Sequence, residues 1–218
     1  MEVKEKKTIT TSNKIANVLK HEINHGKLNP GDSITEREIA GKFQASHIPV
    51  REALRILEGE GYIIHHKYSG YSVREIKPEE MVELYDIMRF LTTQLLTRAI
   101  PRYTDLTFYQ FNSIIDEMSR SEDVNEGVSL LFQFAETAYA PAGLDYSFGL
   151  TKQILHRNIP IVQRVFDKVY KGHFPIRVQK NFVEFCQKKE TAKAIECYMD
   201  ELSNLTKRLV ANISEAYK

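Results

Sequence analysis

Apolar residues recur at helical spacing over the first sixty positions and then switch briefly to the pattern of strands. Ile15, Val18, Leu19 and Ile23 fall three or four residues apart between Asn13 and Asn24, which predicts an amphipathic helix. Gly26, Asn29, Pro30 and Gly31 end it in a turn. Thr35-Glu36-Arg37-Glu38 has the form of a capping box, so a second helix should run to about Phe43 and bury Ile39, Ala40 and Phe43. Gln44-Ala45-Ser46 makes a turn, and Ser46 N-caps a third helix. Pro49 fits the first turn of that helix, where an amide would have no partner. Val50, Leu54 and Leu57 form its buried stripe, and Gly61 stops it. Tyr62-Ile63-Ile64 and Tyr71-Ser72-Val73 are strand-like runs around Lys67-Tyr68-Ser69-Gly70, which predicts a hairpin. Two short helices across a tight turn, followed by a hairpin, make the pattern of a winged helix-turn-helix.

From Pro78 onward the spacing is helical throughout. Met81, Leu84, Tyr85, Met88, Leu91, Leu95 and Ala99 mark one long helix, and further helices are expected over about 104–120, 126–139, 145–156, 160–171, 175–188 and 190–216. The fold class is therefore mainly α. Residues 1–76 should form a winged helix-turn-helix domain, and residues 77–218 an antiparallel, all-helical bundle.

Charge sharpens this division a little. The whole chain has a formal net charge of +1, but residues 1–76 carry 12 Lys+Arg against 10 Asp+Glu, and five of the seven histidines. A modestly basic head is compatible with a local DNA-binding patch. Lys4, Lys6 and Lys7 read as a solvated tail. No apolar run is long enough to span a membrane, and the charged N-terminus lacks the apolar core of a secretory signal, so a cytoplasmic protein is expected. Cys186 and Cys197 lie eleven residues apart; on one helix they would be roughly 16 Å apart, too far to bridge, and free thiols are expected.

The third helix has the features of a recognition helix. Ser46, His47, Arg51, Glu52 and Arg55 lie away from its apolar stripe, and the free amides at its start favour a phosphate. Arg37 can reach the backbone or a guanine edge, while Lys67 and the turn at Gly70 are placed for the minor groove. Two recognition helices reading two half-sites imply a homodimer on a double-stranded operator.

Thr35-Glu36-Arg37-Glu38-Ile39-Ala40, followed by Ala45-Ser46-His47-Ile48-Pro49-Val50-Arg51-Glu52-Ala53-Leu54-Arg55-Ile56-Leu57-Glu58-Gly59-Glu60-Gly61, resembles the GntR family of bacterial transcription regulators. The resemblance covers about 60 residues and implies DNA contacts from Arg37, Arg51, the Ser46–Pro49 start of the third helix, and the wing at Gly70. It departs at the base-reading edge. Where the family usually has Arg-Thr, this chain has His47-Ile48, one hydrogen-bonding ring and one apolar side chain. The operator should differ there from the family's common core.

The helical part resembles the FadR-type branch of that family, whose C-terminal domain is called FCD. The opening Pro78-Glu79-Glu80-Met81 to Arg89 and the tail from Phe185 to Leu202 carry this resemblance. Many members hold a divalent metal through an Asp-x-x-x-His pair and two later histidines. Here Glu201 and a position near Gln179 replace the histidines, Glu136 lies where no Asp-x-x-x-His exists, and His156 and His173 fall at other spacings. No metal and no cofactor is expected, with a weak oxygen site at Glu136, Gln179 and Glu201 the alternative. Phe132, Phe134, Tyr139, Phe148, Phe166, Phe182, Phe185 and Tyr198 lie on or near inner faces, favouring an apolar or acyl-like effector. Candidate effector residues are Arg89, Phe132, Glu136, Gln179 and Glu201, with Arg177 a second candidate cation.

The reading is of a DNA-binding transcription regulator, a repressor, modulated by a small molecule in the bundle. The alternative is a regulator whose bundle binds a protein partner. An enzyme is disfavoured, since no phosphate loop, nucleophile elbow, Cys/His cluster or HExxH motif occurs.

Overall fold

The computed structural model describes residues 10–24, 26–170 and 176–216; the side chains of 157, 160, 164, 167–170 and 214–216 are outside that description. Lys4, Lys6, Lys7 and His173 lie outside the described residues. The chain divides into two compact units, one ending at Glu75 and the next beginning at Ile76.

The first unit contains α1 (Thr11–Asn24), β1 (Ser33–Ile34), α2 (Glu36–Phe43), α3 (His47–Gly59), β2 (Ile63–His66) and β3 (Gly70–Val73). The strands form an antiparallel sheet in the order β1-β3-β2, with Ile34 opposite Tyr71 and Ile64 opposite Ser72. The two-residue β1 is absent from the sequence reading because two positions are too short to show alternation. It is fixed from a distance, by pairing with β3. Ile15, Leu19, Ile34, Val50, Leu54, Leu57 and Ile63 make the core. Val18 is exposed, and Ala40 and Phe43 only half-buried, so helical spacing overestimated the apolar face of α1 and α2.

The second unit contains α4 (Pro78–Ala99), α5 (Asp105–Arg120), α6 (Val124–Tyr139), α7 (Asp145–Tyr170), α8 (Arg177–Gln187) and α9 (Thr191–Ala216), with short 3-10 turns after α4 and α6. The longest packing interfaces join α4 to α9 and α8 to α9, while α7 packs on α4, α6 and α9. Where the sequence suggested two helices over 145–156 and 160–171, α7 is continuous through Pro160. A proline inside a helix costs about 3 kcal/mol. Packing of α7 against three neighbouring helices offsets it. Cys186 and Cys197 are not on one helix: the turn at 188–190 puts the first on α8 and the second on α9, and both are free thiols. Burial pushes the Cys186 thiol up to about 12, which keeps it protonated and unreactive.

Aromatic side chains fill the middle of the bundle. The rings of Phe111 and Phe134 lie 4.8 Å apart, and each is 6.0 Å from Phe182. Phe132 and Phe166 are buried as well, whereas Phe148 and Phe185 are half-buried at the edge. Among the described residues, no helix is long and apolar enough to cross a membrane.

Candidate nucleic-acid interface and ligand cavity

The entrance to α2 is a complete capping box. Thr35 Oγ1 accepts from the Glu38 amide at 3.2 Å, and Glu38 Oε2 accepts from the Thr35 amide at 3.1 Å and its hydroxyl at 2.7 Å. These hydrogen bonds hold the Glu38 carboxyl below its ordinary value, since they favour the charged form. At the other end Gln44 takes a left-handed conformation, φ 49°, and its amide returns to the carbonyls of Ala40 and Gly41. The chain reverses there and enters α3. Ser46 occupies the N-cap position with extended backbone, but its side chain makes no capping hydrogen bond. The hydroxyl is exposed and unspent at the helix start.

From this start the candidate DNA-contacting residues fan outward. Arg37, Ser46, His47, Ile48, Arg51 and Arg55 are exposed and Pro49 is half-buried, while Val50, Ala53, Leu54 and Leu57 face the core. Ile48 is 73% exposed, a large apolar side chain with no structural task. Arg51 is not loose. Its Nε donates to both oxygens of Glu36, at 2.9 and 2.8 Å, and His47 Nδ1 stands 3.9 Å from the same carboxylate. The pairing raises the Arg51 pKa from an already high value. Glu36 therefore gathers the first two positively chargeable groups of α3 into one cluster. It was not among the residues selected from sequence, since a carboxylate beside a DNA surface reads first as a capping charge.

On the wing, Lys67 is exposed and its Nζ lies 5.3 Å from the ring centroid of Tyr68. Tyr68 is 94% exposed with φ 78°, so an aromatic ring stands at the tip of the hairpin. Sequence reasoning placed it in the turn but passed over it. An aromatic among Lys, Ser and Gly was the available signal. Gly70 has a tighter role than the tip: it is half-buried at φ 87°, and a Cβ there would meet the Ile34 carbonyl oxygen at 3.1 Å. The glycine is required by the β1-β3 pairing whether or not DNA lies near.

In the second unit a cavity of about 60 Å³ brings together Phe132, Gln179 and Glu201, with Tyr85, Tyr139 and Tyr198. Two other candidates stand apart from its lining. Arg89 is exposed on α4, 3.8 Å from Asp86, and Glu136 accepts from Lys152 at 3.1 Å with His156 at 3.3 Å. Arg177 borders a separate polar groove, which shares Glu201 with the cavity and includes Cys197 and Asp200. Among the described residues, no three His, Cys, Asp or Glu side chains come close enough to hold a metal.

Residues 11–73 match the family model for bacterial regulatory proteins, gntR family. The chain is 29% identical over 101 residues to the Nta operon transcriptional regulator of Aminobacter aminovorans, covering 46% of this chain and 48% of that one. It is 28% identical over 160 residues to the gluconate operon transcriptional repressor of Bacillus subtilis (strain 168), covering 72% and 63%. The chain thus spans about half to just under two thirds of these relatives' lengths. Among solved structures it is similar to a transcriptional regulator GntR from Rhodococcus sp. RHA1, with a TM-score of 0.73, 20% identity, and coverage of 95% and 99%. At that identity the likeness is one of fold.

Proposed function

Because residues 11–73 are a GntR-family helix-turn-helix domain, we propose that the chain is a transcription regulator acting as a repressor. It binds a double-stranded operator as a homodimer in the cytoplasm and changes its affinity when the helical unit takes up a small apolar molecule. The observation that carries the reading is the exposed start of α3, where Arg51 is pre-oriented by Glu36 beside the exposed His47 and Ile48. An arginine held in one geometry loses less side-chain entropy when it meets a guanine edge or phosphate. Arg37, Ser46, Pro49 and Arg55 complete the proposed contact set, and Lys67, Tyr68 and the wing approach the adjacent minor groove. No catalytic role is assigned.

A homodimer has a candidate surface of its own. Val82, Ile87 and Phe90 are exposed on α4, Phe90 at 68%. Exposed apolar patches of this kind mark association sites. The same exposed side chains support a second reading, in which the helical unit binds another protein and no metabolite. Selecting duplexes from a random pool, then measuring binding to the winner with and without candidate metabolites, tests the proposal. Failure to enrich any sequence counts against it, and metabolite-insensitive binding favours the second reading.

A further inference from the structure

The wall of the cavity in the helical unit is almost wholly apolar, and its few polar groups differ in what they can offer a ligand. Gln179 is buried, at 7% exposure, and its Oε1 has no hydrogen-bond partner. A buried acceptor without a donor is an uncompensated desolvation, which a ligand donor would relieve. Glu201 is the one charged group among the described lining residues, and it already accepts from Arg208. With Glu201 engaged by Arg208, the described lining residues offer no unpaired cation to hold an anionic ligand. Tyr198 completes the set. Thr92 donates to the Tyr139 hydroxyl at 3.4 Å and Tyr139 donates to the Tyr198 hydroxyl at 2.9 Å, which leaves the Tyr198 proton to be given onward. Burial pushes both phenols above their ordinary values, so both stay protonated at neutral pH.

The cavity of about 60 Å³ is partly open, so the polar end of a ligand can sit inside while an apolar body projects from it. The chemistry asked for is an apolar body with one group that donates to an amide oxygen and accepts from a phenol. A carboxylate fulfils only the second role, and the described lining residues hold no cation to neutralise it. An alkane fulfils neither.

We propose that this cavity binds a small uncharged hydroxyl compound such as phenol, its O–H donating to Gln179 Oε1 and its oxygen accepting from Tyr198. The inference rests on the reading of the helical unit as the ligand-sensing part, and names the class of ligand it takes.

Calorimetric titration and thermal melting of the full chain with phenol, benzoate and toluene test it. Phenol should bind and raise the melting temperature, toluene should bind more weakly, and benzoate should do neither. Gln179→Leu should weaken phenol at least tenfold while leaving toluene unchanged, which shows that the cavity has kept its shape. Tyr198→Phe should produce a smaller loss. Benzoate binding as tightly as phenol, no phenol binding, or a Gln179→Leu variant that holds phenol as well as the parent overturns the proposal. DNA binding by the ligand-free chain is scored separately. Its loss alongside intact phenol binding would remove the regulator reading and leave the cavity assignment standing.

Discussion

Both carboxylate oxygens of Glu36 accept from the Nε of Arg51, at 2.9 and 2.8 Å, across the turn that joins α2 to α3. The contact ties the first residue of α2 to the exposed face of α3 and leaves the terminal nitrogens of Arg51 to face outward. Glu36→Gln removes the charge but keeps a hydrogen-bonding side chain. It should strengthen binding to random duplexes, because a carboxylate is lost beside the phosphates, and narrow the ratio of specific to random binding. Fluorescence anisotropy on the two duplex types checks this; an unchanged ratio would show that Glu36 does not position Arg51.

His47 and Ile48 should set the sequence read. The imidazole cannot present the fork with which arginine grips guanine, and Ile48 can offer only an apolar contact such as that to a thymine methyl. The double change His47→Arg with Ile48→Thr should move the selected operator at the position these residues face, leaving the rest of each half-site as it was. Site selection from random duplexes with both proteins reads this out. Recovery of the same sequence by both would count against it.

The capping box predicts a stability that depends on pH. Thr35→Ala should cost the first unit about 1 kcal/mol at pH 7, measured by urea unfolding. Glu38 has a depressed carboxyl pKa in the fold, so its contribution is present above its ordinary value of 4.5 and is lost as pH falls through the lower folded value. The gap between parent and variant should therefore shrink in the acid range below pH 4.5. A gap that is constant from pH 7 to pH 3 would mean that the Thr35 hydroxyl gains nothing from the charged form of Glu38.

Leu54 is fully buried at the centre of the first unit's core. Leu54→Ala should cost about 2–5 kcal/mol, a large share of the 5–15 kcal/mol typical of a domain. Calorimetry should then show the first unit melting early and the helical unit melting near its original temperature. A single transition shifted as a whole would show that the two units unfold together.

How far these elements could be foreseen depends on the range of the forces that make them. The α2–turn–α3 geometry was legible because its determinants are local: the Thr35–Glu38 cap, the Gln44 reversal and the stripe of Val50, Leu54 and Leu57 all lie within one helix length. The β1 strand and the requirement for Gly70 were not, since both arise from pairing between residues almost forty positions apart. The two helices expected over 145–156 and 160–171 are one for a related reason, since α7 runs on through Pro160 while it packs against α4, α6 and α9. In the helical unit the sequence identified Phe132, Gln179 and Glu201, which share the cavity, but also Arg89 and Glu136, which do not line it. Helical periodicity tells which face is buried. It does not tell which buried residues border the same cavity, and the Thr92–Tyr139–Tyr198 chain joins residues of three helices that no spacing connects.

The most direct measurement is the affinity of the parent and of Arg51→Ala for the selected operator and for a random duplex of equal length, at one fixed salt concentration. The parent should prefer the operator, and Arg51→Ala should lose about tenfold to a hundredfold on the operator and clearly less on the random duplex, where only a charge is removed. Equal affinity of the parent for both duplexes, or an equal loss on both in the variant, would contradict sequence-specific recognition through α3.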